Sequence, residues 1–144
     1  AITRRANEAE AIGRFGGALW DDTQAEAFCQ EVLRGLEQDS WQLPPEQVAE
    51  RFKAVPELMP HTLSDCLHEL AYWNELYRLR HACDTQGYYE NSIEANARDW
   101  FVFGLLAELR PRNREEARAT LRYLMGSERD DAPEAGRILD NLIG

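Results

Sequence analysis

The chain has 144 residues, 44% of them apolar, and 26 acidic against 16 basic side chains give a net charge of −10. That is enough length and apolar content for a buried core without disulfide or metal staples. The acidic balance argues against direct nucleic-acid binding, where phosphate needs the opposite sign, and no apolar run approaches the roughly 20 residues of a membrane span.

In chain order, Thr3 is expected to cap a first helix over about Arg4 to Leu19, with Ala9, Ile12, Phe15, Gly16 and Leu19 at helical spacing. Gly13, Gly16 and Gly17 lower its propensity and are read as places where a neighbouring helix comes close. After the break at Trp20-Asp21-Asp22, Thr23 and Glu26 form a capping box. It opens a second helix to about Glu37 that buries Ala25, Phe28, Val32 and Leu36. Pro44-Pro45 start a third helix with Val48, Phe52 and Val55 inward, and Pro56 and Pro60 end it. Thr62 and Asp65 cap a long helix to about Ala82, with Leu63, Leu67, Leu70, Trp73 and Tyr77 along one side. Asp84-Thr85-Gln86-Gly87 closes it in C-cap chemistry, and a loop carrying Tyr88 and Tyr89 follows.

The stretch from Ser92 to Arg110 is the expected centre of the fold. Trp100 to Ala107 is an unbroken apolar run flanked by helix formers, which reads as a helix apolar on every side and wrapped by others. Asn91 is its expected cap, and Pro111 closes it because the residue before proline avoids the helical region. Trp73, Tyr77, Trp100, Phe101 and Phe103 are assigned to the core. Asn113 to Glu116 repeats the cap pattern before a sixth helix that buries Ala117, Leu121 and Leu124. Pro133 opens a seventh, with Ala135, Ile138, Leu139 and Leu142 inward. No segment alternates with period two between hairpin turns. The expected fold is all-α: one domain, residues 1–144, a bundle or short array of about seven helices around the helix at about 92–110.

Trp100, Gly104, Ala117 and Leu121 fall at the Trp, Gly, small and large apolar spacings of a tetratricopeptide repeat. Ala97 to Leu124 thus resembles a single degenerate repeat, with the family's proline displaced to Pro133. No second copy follows at that family's period of roughly 34 residues. The resemblance implies a helical hairpin and, more weakly, peptide binding.

Candidate chemistry is sparse. His61, Asp65 and His68 share a helix face, but a metal site needs further convergent ligands that the pattern does not supply. Cys66 with His68, and Cys83 with His81, diverge on a helix and make no local dyad. Cys29, Cys66 and Cys83 are an odd, sparse set that points to buried thiols and a reducing compartment. The pairs Asp21-Asp22, Glu115-Glu116 and Asp130-Asp131 all stand at helix starts, where the dipole favours anions. No catalytic residue, metal or cofactor is assigned on these grounds.

Surface features point elsewhere. Arg114, Arg118 and Arg122 run at i, i+4, i+8 along the sixth helix, and Tyr88 and Tyr89 offer large, half-polar anchors nearby. The loop before the central helix is expected to lie near Arg122, with Arg114 toward the far end. The expected function is a non-enzymatic, acidic, helical protein-interaction module whose partner is a protein or peptide with acidic and apolar residues. An adaptor, a secretion chaperone or a toxin-neutralising partner would fit. The alternatives are a small enzyme or ligand binder near His61 and His68, and an acidic mimic blocking a nucleic-acid-binding protein. Fifteen Arg against one Lys point to a GC-rich bacterial genome, and the expected localisation is cytoplasmic.

Overall fold

A computed structural model of the chain describes residues 2–16, 19–84, 86 and 89–144, with side chains from residue 5 onward. It is 65% helical, and the described residues form no strand, so the fold is all-α. The helices are α1 (Ile2–Phe15), α2 (Gln24–Val32), α3 (Pro45–Lys53), α4 (Leu63–Cys83), α5 (Ile93–Leu105), α6 (Arg114–Gly126) and α7 (Ala135–Ile143). A 3-10 turn, Pro56–Leu58, separates α3 from α4.

Local chemistry sets the helix starts. Thr23 and Glu26, and likewise Thr62 and Asp65, exchange side-chain and backbone bonds as capping boxes. Asn113 accepts from the Glu116 amide. Ser92, one residue after the expected Asn91, caps α5 by accepting from the Ala95 amide. Thr3 lies inside the first turn of α1 rather than capping it.

Three helices, α1, α2 and α5, end earlier than apolar periodicity alone predicts. Gly16, at φ 73°, donates to the Ile12 carbonyl and stops α1, because the left-handed conformation is free for glycine. A Cβ at Gly13 or Gly16 would meet open space, so neither is a close-approach site; Gly17 lies outside the described residues. Gly35, at φ 88°, follows the end of α2 in the same way. From Leu106 to Glu108 the backbone tightens to i→i−3 bonds and α5 is over, five residues before the expected Arg110.

α4 threads the molecule. Leu63, Cys66 and Leu70 join α5, α6 and α7 in one apolar cluster, Trp73 and Leu76 join α2, α3 and α5 in a second, and Leu79 and Cys83 meet α1 in a third. α5 packs against α2, α3 and α4, while α6 lies on α4 and α7. The apolar run of α5 is longer than its cover. Trp100 is 39% exposed, not a core residue, while Phe103 is fully buried. The Trp100 ring meets Phe103, edge-on at 5.5 Å, and the Arg129 guanidinium at 4.4 Å. Tyr77 and Phe101 are half-buried.

Buried polar groups turn several helices away from their expected faces. α2 buries Glu26, Cys29 and Leu33 and leaves Phe28 47% exposed, because Glu26 is drawn inward. α6 buries Thr120, whose hydroxyl donates to the Glu116 carbonyl, and leaves Leu121 outside. α7 buries Asn141, which donates to the Leu106 and Leu109 carbonyls freed by the end of α5, and Leu139 stays exposed. In α1, Ala11 and Phe15 face inward, whereas Ala9 and Ile12 face out.

Candidate functional site

Three of the fifteen arginines are consumed by the fold. Arg80 is 4% exposed, and its Nη1 and Nη2 donate to the two Glu26 carboxylate oxygens at 2.8 and 2.9 Å. Its remaining donors reach the Leu19 and Asp21 carbonyls and the Tyr89 hydroxyl. Arg98 grips Glu69 in the same bidentate way, at 2.6 and 2.7 Å, with the Leu58 carbonyl at 2.5 Å and the Phe52 ring 4.7 Å beneath. Arg129 pairs with Asp99 over Trp100 and Phe103. Burial pushes the Asp99 carboxyl up, against the pull of Arg129. Sequence reasoning missed all three. The signal was present for two of them: Arg80 and Arg98 sit on the apolar stripes of α4 and α5, where a solvated arginine has no business.

Glu116 does more than meet a helix dipole. It accepts from the Arg112 side chain and amide and from the hydroxyl and amide of Ser64, tying the start of α6 to the start of α4. The Arg112 guanidinium, opposed by burial, holds this carboxyl down at about 2.

The expected partner-binding residues divide. Arg114, Arg118 and Arg122 are all exposed, and none makes an ion pair or hydrogen bond with a described residue. Leu121, 40% exposed, and Met125, 63% exposed, lie beside them on the same side of α6. The buried side, Glu116, Thr120 and Leu124, is nearly opposite. Tyr89 is not a loose anchor. Its hydroxyl accepts from Arg80 and donates to Asn91, and its ring leans on Trp20 and Tyr77. Tyr88 lies outside the described residues.

Beside this face opens a groove of about 1020 Å³ between α4, the start of α5 and the end of α6. Arg122 and Tyr123 stand on one wall, Tyr77 and Asn74 on another, and Glu90 and Asn91 at the loop before α5. Arg122 and that loop therefore share one concavity. Trp41 also lines it and is 90% exposed. A closed turn presents this indole: Asp39 and Gln42 exchange backbone bonds, Gln38 donates to the Ser40 carbonyl, and Ser40 takes φ 58°. Trp41 falls between the expected second and third helices, in a stretch to which the sequence pattern gives no role.

His61 and His68 do not converge on a metal site. Both are exposed, Asp65 is occupied by the His61 and Thr62 amides, and no group of three or more possible ligands gathers among the described residues. His68 does rim a mainly apolar cleft of about 520 Å³, walled by Phe28, Met59 and Tyr72 and floored by Phe52 and Trp73. Cys29 lies on its wall, but burial pushes that thiol up to about 12, as it does Cys66, which keeps both in the protonated form near neutral pH. Among the described residues no helix is long and apolar enough to cross a membrane.

Comparison with protein-family models, characterised proteins and solved structures finds no match to this chain.

Proposed function

We propose that this protein is a non-enzymatic, acidic, helical interaction module that binds a segment of another protein. The segment combines apolar and acidic residues and lies along the groove wall at Arg122 and the outer face of α6. The observation that supports this most is Trp41. An indole 90% exposed on a closed turn, at the edge of a groove of about 1020 Å³, is a costly arrangement for a protein with no partner. Three guanidiniums without a partner among the described residues, on a chain of charge −10, add to it. An adaptor, a secretion chaperone or a toxin-neutralising partner would each use such a surface.

The test is recovery of a partner from extract of the native host on tagged protein. One partner in equimolar amount is expected with the parent chain. Trp41→Ala and Arg122→Glu should each lower its recovery, while Arg5→Glu, an exposed charge on α1, should not. Equal recovery by all four proteins would sink the reading.

A second reading, binding of a small apolar ligand, is supported by the cleft beside His68. A volume of about 520 Å³ suits a drug-sized molecule. Saturable binding of a neutral apolar fluorophore, lost in Phe28→Ser, would favour it; no binding would remove it.

A further inference from the structure

We infer that the outer face of α6 is a dock for one turn-by-turn complementary element: an amphipathic helix of a partner protein whose apolar stripe is bordered by carboxylates. The inference rests on the interaction reading above and specifies its partner. Arg114, Arg118 and Arg122 repeat every fourth residue, so their guanidiniums form a row about 12 Å long at 1.5 Å per residue. Leu121 and Met125 repeat with the same step and lie beside the row. This is the layout of one side of a helix–helix seam, in which apolar side chains interlock and charges flank them. An extended segment, with side chains alternating by two, would bring only every second residue to such a surface.

Charge decides the partner's sign. Elsewhere on this chain the arginines facing carboxylates are paired: Arg14 with Glu10 and Glu75, Arg78 with Glu75, Arg112 with Glu116. The α6 row has no such pair among the described residues, even though Glu115 sits one residue from Arg114 and three from Arg118. A chain with ten excess negative charges thus leaves three neighbouring cations unneutralised around exposed Leu and Met. The wider acidic surface repels an acidic helix, but at 0.1 M salt charges beyond about 10 Å are screened and the local row prevails.

The neighbouring helix also exposes apolar side chains. α7, which packs against α6, leaves Leu139 39% and Ile143 85% exposed, again four residues apart.

The experiment uses the full chain and a labelled designed peptide of about 20 residues, long enough to span the row as a helix. Its leucines occupy heptad a and d positions and its glutamates the flanking e and g positions. A second peptide carries lysine in place of every glutamate. Binding by fluorescence anisotropy is expected for the glutamate peptide and not for the lysine peptide. Arg118→Glu with Arg122→Glu should weaken it about tenfold or more, and Leu121→Ser with Met125→Ser about fivefold or more. All four positions are exposed, so folding is retained and is checked by melting temperature.

Equal binding of both peptides, unchanged binding in either double variant, or no binding of the glutamate peptide would overturn the inference. So would sedimentation showing that the parent chain self-associates through this face and the double variants do not. Failure here combined with loss of a native partner in Trp41→Ala would remove the helix and leave the interaction module standing. Failure of both removes the whole reading.

Discussion

Arg80 and Arg118 are the same residue put to opposite uses. Arg80 lies under α2 with every donor satisfied and its charge cancelled by Glu26. Arg118 stands on the outside of α6 with no partner among the described residues. A buried guanidinium without a carboxylate would cost several kcal/mol of desolvation, so Arg80 is buried only together with its pair. The exposed row has no such constraint, because water solvates each charge. The difference separates arginines that hold this protein together from arginines that are available to something else, and net charge alone cannot make that distinction.

The largest way to break the comparison is Arg80→Met. It strands Glu26 in the interior and should cost about 3–5 kcal/mol in urea unfolding. Adding Glu26→Leu should recover a good part of that loss, because an apolar pair needs no neutralisation. If the second change makes matters worse, Glu26 serves mainly through its capping bond to Thr23. Phe103→Ala, which empties a fully buried site, should cost a similar 3–5 kcal/mol.

Glu116 comes next. Glu116→Gln should cost about 1–3 kcal/mol at neutral pH, the range for leaving donors of a charged network poorly satisfied. Its folded value of about 2 lies below the ordinary 4.5. The carboxylate's contribution is therefore complete above about pH 4.5 and drains away as pH falls toward about 2. Parent and variant should differ in unfolding midpoint at pH 7 and approach each other at pH 3; a constant gap would mean that this carboxylate does not gain its charge stability from Arg112 and Ser64.

Trp100→Ala should cost only about 1–2 kcal/mol, since its ring is partly solvated and its main losses are the Arg129 stacking and some apolar cover. A loss equal to that of Phe103→Ala would put Trp100 back in the core. Smallest of all, Arg118→Glu should shift stability by no more than about 0.5 kcal/mol, as exposed substitutions do, while changing partner binding.

The amino-acid sequence by itself determined the class of fold and most helix starts. Caps such as Thr23 with Glu26, Thr62 with Asp65 and Asn113 act within one turn, so their residues and their effect lie side by side in the chain. It also marked the Arg114-Arg118-Arg122 row, because a helical repeat of four is written directly in the spacing. Which side of each helix goes inward was another matter. Phe28, Trp100, Leu121 and Leu139 read as core, yet the interior positions beside them went to Glu26, Thr120 and Asn141 or were left without cover. The outcomes at Glu26 and Asn141 depend on partners 54 and 35 residues away, Arg80 for Glu26 and the Leu106 carbonyl for Asn141. Buried hydrogen bonds and ion pairs of that kind are satisfied only in three dimensions, and periodicity cannot register them. The groove has the same origin. Trp41, Tyr77 and Arg122 are distant in sequence, and only the packing of α5 and α6 on α4 brings them around one space.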